Sequence, residues 1–171
     1  MANTFVALAT VTVGSGGAAN IEFTSIPGTY TDLLIMASMR GTAAATVVQG
    51  KIKFNGSTTS YSERLLQGNG SSASSSSQSG ADLEWIGVSP GANATASTFG
   101  NTFFYIPNYT SSNYKSTSSE SVTENNATSA TQHLVAGLWS NTSAITQITI
   151  TPSSGNWAQY STATLYGIKN S

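Results

Sequence analysis

Cysteine is absent from this 171-residue chain, and charge is nearly so: 8% of its residues are Asp, Glu, Lys or Arg, against about a quarter in an ordinary soluble domain. Without cysteine there is no disulfide, thiolate nucleophile, zinc finger or iron–sulfur cluster. Six basic and seven acidic residues give a formal net charge of −1. That balance leaves no basic groove for nucleic acid or anionic lipid and none of the charge repulsion that keeps chains disordered. No uninterrupted apolar run exceeds Leu33 to Ala37, which is too short for a membrane-spanning helix. Met1-Ala2-Asn3-Thr4 lacks the basic segment and apolar stretch of a secretory leader.

What fills the chain is neutral polarity. Ser occurs 28 times, Thr 24 times and Gly 16 times. Ser competes locally with helical hydrogen bonds, Thr is β-branched and Gly weakens helices, so composition alone leans away from helix. The length suits a single domain that can bury about two thirds of its unfolded surface.

Period-two alternation recurs along the chain, broken by turn residues every eight to twelve positions or so, the pattern of a sandwich or barrel. Phe5 to Val13 alternates until Gly14-Ser15-Gly16-Gly17 ends it, and Ile21 to Thr24 is a short strand halted before Pro27. Leu33 to Met39 is apolar on both faces and reads as the most central strand. Val47 to Phe54 sets Val48, Ile52 and Phe54 against Gln49, Lys51 and Lys53, then meets Asn55-Gly56, the strongest short hairpin signal. The segment Tyr61 to Leu66 is expected to pair back against it. Gln67 to Gly80 has no apolar side chain larger than Ala73 and reads as an exposed Ser/Gly-rich loop. Further strands are expected at Leu83 to Val88, Thr98 to Ile106, Gln132 to Trp139, Ala144 to Thr151 and Thr162 to Ile168. Gln132 to Trp139 and Ala144 to Thr151 are expected to form a hairpin around Ser140-Asn141-Thr142. Tyr114 to Thr123 is almost wholly polar and reads as an edge or exposed strand. The expectation is one all-β domain over residues 1–171, a two-sheet, jelly-roll-like β-sandwich of about nine or ten strands with its terminal strands in one sheet. An up-and-down barrel is the alternative.

Little in the chain reads as chemistry. His133 is the single histidine, lies on the strand face opposite Leu134, and reads as a surface or interface side chain. No G-x-S-x-G elbow accompanies the many serines. Asp82 with Glu84, and Glu120 with Glu124, each share a strand face. Such pairs suit a glycosidase or a calcium site, but read more simply as groups that keep a sheet face wet. Gly14 to Gly17 lacks the Lys of a phosphate loop. No catalytic, cofactor-binding or metal-binding residue is assigned, and no cofactor is expected. The aromatic residues Tyr105, Tyr109 and Tyr114 around Pro107, with Trp157 and Tyr160 near the last turn, are the candidate glycan or subunit contacts. Six N-x-[ST] sequons, starting at Asn55, Asn69, Asn93, Asn108, Asn126 and Asn141, are about what so much Asn, Ser and Thr produces by chance.

Several segments together carry a resemblance. They are Val11-Thr12-Val13-Gly14-Ser15-Gly16-Gly17, Ile26-Pro27-Gly28-Thr29-Tyr30-Thr31-Asp32-Leu33, Phe54-Asn55-Gly56 and Tyr105-Ile106-Pro107-Asn108-Tyr109. Gly137 to Ile145 and Ser161 to Lys169 complete the set, which runs through nearly the full length. It resembles virion structural proteins of tailed bacteriophages, on the capsid surface or in the tail and its fibres. The resemblance implies a β-sandwich assembled as homo-oligomers, frequently trimers, in the virion. Its partners would be capsid-shell or tail proteins, with neither nucleic acid nor membrane bound. No residue role comes with it. Neutral Ser, Thr and Asn surfaces suit interfaces whose strength depends little on salt. Termini and loop tips, ordinarily disordered unless tied down, would pack against neighbours. The leading expectation is a non-enzymatic capsid decoration, cement or head-fibre protein, or a tail-attached accessory. The alternative is an adhesin that binds host glycans through the tyrosine cluster.

Overall fold

In the computed structural model, which describes residues 4–126 and 130–169, the alternating segments become twelve strands, and no helix occurs among the described residues. They are β1 (Phe5–Thr12), β2 (Ile21–Phe23), β3 (Asp32–Met39), β4 (Val47–Phe54), β5 (Tyr61–Gly68) and β6 (Ala73–Gly80). The second half adds β7 (Leu83–Pro90), β8 (Gly100–Ile106), β9 (Lys115–Thr123), β10 (Thr131–Trp139), β11 (Ile148–Pro152) and β12 (Thr162–Ile168). An eight-stranded sheet runs β1-β12-β3-β8-β9-β10-β5-β6 and a four-stranded sheet runs β2-β11-β4-β7. Every pairing is antiparallel. The chain is an all-β, two-sheet sandwich, and its first and last strands pair in one sheet, β1 against β12. The stretches at residues 1–3 and 170–171, expected to be held by neighbours, lie outside the described residues, as does part of the sequon at Asn126.

Buried side chains from both sheets make one apolar cluster. The small sheet contributes Ile21, Phe23, Ile52, Phe54, Ile148 and Ile150; the large sheet contributes Leu33, Ile35, Phe104, Ile106, Trp139 and Leu165. The Phe54 ring sits 5.6 Å from Trp139, 6.1 Å from Tyr61 and 6.3 Å from Phe104, centroid to centroid. Tilted contacts of this kind are favoured by the ring quadrupoles, and each ring removes a large apolar area from water. Tyr61 fixes its place with its hydroxyl, which accepts the Phe54 N–H at 2.8 Å.

Four expectations fail in instructive ways. Asn55-Gly56 does form a tight turn: both have positive φ, 51° and 68°, and the Ser57 N–H donates to the Phe54 carbonyl at 2.9 Å. It does not make a hairpin, because β4 stays in the small sheet while β5 enters the large one. Asn55 is occupied elsewhere, its side chain donating to the Ala144 carbonyl and accepting from Thr146 N–H, both within 2.9 Å. Likewise β10 and β11 are not a hairpin but lie in different sheets. Residues 67–80 are not a loop: Asn69 Oδ1 accepts the Ser71 and Ser72 N–H groups at 3.0 and 2.9 Å, Gly70 takes φ 83°, and β6 pairs with β5 along eight residues. The segment is exposed, as its composition requires. Finally, the polar strand β9 is an interior strand between β8 and β10, with alternate residues buried. The apolar strand β3 has one buried face, and Met36 on the other is 39% exposed.

Candidate functional site

The inner face of the large sheet carries its polar groups where the free edge of β7 passes over them. Opposite β4, the β7 residues Glu84, Trp85 and Ile86 form a bulge between the pairs Gly50–Gly87 and Ile52–Leu83. A bulge frees backbone groups from the ladder, and buried free groups must find partners. Glu63 of β5, 2% exposed, supplies them: its carboxylate accepts the Glu84 N–H at 2.7 Å and the Trp85 N–H at 3.2 Å. The Gln78 side-chain amide donates to it as well. Ser119 of β9 donates its hydroxyl to the Ile86 carbonyl. His133 of β10, 3% exposed, lies beside the Trp85 backbone, and its Nδ1 has no partner among the described residues. Gly137, cross-strand from both Glu63 and Thr117, keeps the gap narrow. A Cβ there would meet Thr117 Oγ1 at 2.5 Å and Leu83 Cδ1 at 2.9 Å.

Burial dominates the electrostatics of this junction. It pushes the Glu63 carboxyl above the usual carboxylate range, against the pull of its three donors. It holds the His133 imidazole below its ordinary value, against the pull of the Trp85 backbone. Glu84 goes the other way, lowered by the Lys51 ammonium that bonds it at 2.7 Å. Lys53 lies 3.8 Å from Asp82. At the far end of the face, Lys115 is 1% exposed and donates to the carbonyls of Ser111 at 2.7 Å and Asn113 at 2.6 Å. Burial lowers its pKa. These groups hold backbone to backbone, and their geometry is structural.

The outer face is reversed in character. Registers place Met36, Phe103, Glu120, Leu134 and Leu66 side by side across β3, β8, β9, β10 and β5. In that row Met36, Phe103, Leu134 and Leu66 are 39%, 44%, 50% and 52% exposed. No second sheet covers them, since the four-stranded sheet packs on the opposite face. Beside the row stand Leu34, Tyr105 and Ala136, on the same face. Glu120 is exposed and has no hydrogen-bonding or ionic partner among the described residues. Arg64, two strands away on the same face, spends one N–H on the neighbouring Glu63 carbonyl at 2.9 Å. The row ends in a cleft of about 620 Å3 lined in part by Leu66, Ala73, Val122 and Leu134.

The expected aromatic platform does not assemble. Tyr109 and Trp157 are fully buried: the Tyr109 hydroxyl donates to the Pro27 carbonyl, and Trp157 Nε1 donates to the Ile150 carbonyl at 3.2 Å. Core packing takes both out of reach of a glycan or a neighbouring subunit. Tyr105 lies on the outer face with its hydroxyl donating to Asp32 at 2.8 Å. Only Tyr114 and Tyr160, 60% and 68% exposed, present most of their rings to solvent. His133 is a buried side chain, not the surface one that its position opposite Leu134 suggested, because the strand face that carries it packs against β7. The paired acids are dispersed: Asp82 and Glu84 face lysines, Glu120 stands in the apolar row, and Glu124 accepts the Asn126 N–H at 2.7 Å. Among the described residues no three His, Asp or Glu side chains gather to hold a metal ion.

Sequence reasoning passed over Glu63, Lys115 and the outer row. For the row a signal existed. Ile35-Met36, Phe103-Phe104, Leu65-Leu66 and Leu134-Val135 are apolar pairs within strands, and neighbours in a strand point to opposite faces, so one of each pair must leave the core.

No protein-family profile and no curated protein matches this chain.

Proposed function

We propose that this chain is a non-enzymatic structural protein of a tailed-phage particle. It is displayed on the particle surface as a capsid decoration, cement or head-fibre protein or as a tail-attached accessory. The observation that carries the reading is the uncovered apolar row Met36, Phe103, Leu134 and Leu66 on the outer face of the large sheet. A row of exposed apolar side chains of this kind, interrupted by Glu120, on a charge-poor surface is a mark of association with other protein. The resemblance of its sequence segments to virion proteins supports the particle, and the row supports the grip. Of the buried polar groups, Glu63 and Ser119 hold β7 against the large sheet. An adhesin would have to work from Tyr114 and Tyr160, since Tyr109 and Trp157 lie in the core.

Mass spectrometry of purified particles that encode the chain, followed by antibody labelling in the electron microscope, tests the assignment. The expected result is the chain at regular positions on the head shell or the tail. Its absence from washed particles would overturn the reading.

A further inference from the structure

We infer that the outer face of the eight-stranded sheet is a self-complementary interface on which a second copy of this chain docks face to face about a two-fold axis. The inference rests on the assembly reading above and names the partner at the same surface. Three observations select a second copy.

The first is charge. Across the middle of the outer face, from β3 to β5, the exposed charges are one acid, Glu120, and one base, Arg64, while Asp32 at the start of β3 is buried and accepts the Tyr105 hydroxyl. Glu120 is flanked by Phe103 and Leu134 and lacks an intramolecular partner among the described residues. Arg64 retains unused donors. An isologous contact makes every pairing twice, residue i on j and j on i. A two-fold axis lying in the contact plane, crossing β10 between Leu134 and Ala136 at right angles to the line from Glu120 on β9 to Arg64 on β5, sets Glu120 against the partner's Arg64, and Arg64 against the partner's Glu120.

The second is the apolar match. The same axis brings Leu134 alongside the partner's Leu66, and Leu66 alongside the partner's Leu134, near the centre of the contact. The charge pairs then flank an apolar core, the usual anatomy of an interface. The third is size. With the axis on β10, sixth of the eight strands, the five strands β8 to β6 overlap in the two copies. At about 4.8 Å spacing and about 24 Å length they span roughly 600 Å2, or about 1,200 Å2 over both partners, the low end of specific interfaces.

Sedimentation velocity and light scattering on the whole chain across a concentration series test this. The wild type is expected to dimerise at about micromolar concentration. Glu120→Arg and Arg64→Glu are each expected to weaken the dimer about tenfold or more, through like charges on a covered face. Combining the two reversals restores the dimer. Leu134→Asp is expected to leave a monomer whose near-ultraviolet circular dichroism, dominated by buried Trp139 and Trp157, matches the wild type. A wild type that stays monomeric, or single reversals that leave the dimer unchanged, would overturn the inference. A monomer that nevertheless loads onto particles through this face would point to a different virion protein as occupant, sinking the inference while sparing the assembly reading. A dimer that never appears on particles would do the reverse.

Discussion

The two faces of the eight-stranded sheet differ most along its middle strands. The inner face is apolar over most of the sheet, but along β9 its buried positions are Lys115, Thr117, Ser119, Ser121 and Thr123, all polar. On the opposite face of the neighbouring strands, Phe103 and Leu134 stand in solvent. Where the β7 bulge passes over the inner face, Glu63 and Ser119 meet its backbone groups, while the hydroxyls of Thr117, Ser121 and Thr123 have no hydrogen-bond partner among the described residues. An unmet buried group costs about 1–3 kcal/mol, the penalty that Glu63 and Ser119 remove at the bulge. The inner face thus completes another strand at two points, and in the assembly proposed above another molecule completes the apolar row of the outer face.

Breaking the inner face should have the largest effect. Glu63→Ala strips the acceptor from the Glu84 and Trp85 N–H groups and from Gln78. Chemical denaturation should show a loss of about 3 kcal/mol or more. Gly137→Val, which forces a side chain into the space held by Thr117 and Leu83, should cost about 1–3 kcal/mol in the same experiment.

A pH series sharpens the comparison. Because folding holds the His133 imidazole low, the unfolded chain takes up its proton first as the solution is acidified. The stability contributed by neutral His133 is complete above about pH 6.5 and is lost as pH falls through the folded-state value. Glu63, raised on folding, contributes in the opposite sense: fully below the usual carboxylate range, and less as pH rises through its folded-state value. Thermal melts of His133→Gln between neutral and mildly acidic pH should thus fall less steeply than those of the wild type.

The outer face should show the smallest effect on folding. Phe103→Ser and Leu66→Ser remove half-exposed side chains and should shift unfolding free energy by only about 0.5 kcal/mol in dilute solution. Their consequence should appear in association, which separates the two faces by experiment.

Much of this molecule is legible in its sequence, for reasons that residues make plain. The alternation of Val48, Ile52 and Phe54 with Gln49, Lys51 and Lys53 locates β4 and its buried side because one face meets a core. Asn55-Gly56 announces a turn because both residues tolerate positive φ. Sheet membership is another matter: a turn reverses the chain but does not choose its partner, so β4 and β5 part company, as do β10 and β11. Polarity misleads at β9 and at His133, since the strand that covers them, β7, comes from a distant part of the chain, and Ser119 finds its partner on a bulge that forms only when the two sheets meet. Composition also hides β6, whose serines join the sheet through backbone bonds to β5 while burying almost nothing. The buried role of Tyr109 and Trp157 is invisible locally, because the same ring serves a core or a surface equally well.

Hydroxyl-radical footprinting, read by mass spectrometry on the dilute chain and again on the assembled form, addresses the outer face most directly. The expected result is heavy labelling of Met36, Phe103, Leu66 and Leu134 in the dilute chain and protection of Phe103, Leu66 and Leu134 on assembly, with Tyr114 and Tyr160 labelled equally in both. Equal labelling of the outer row in the two states would contradict the account.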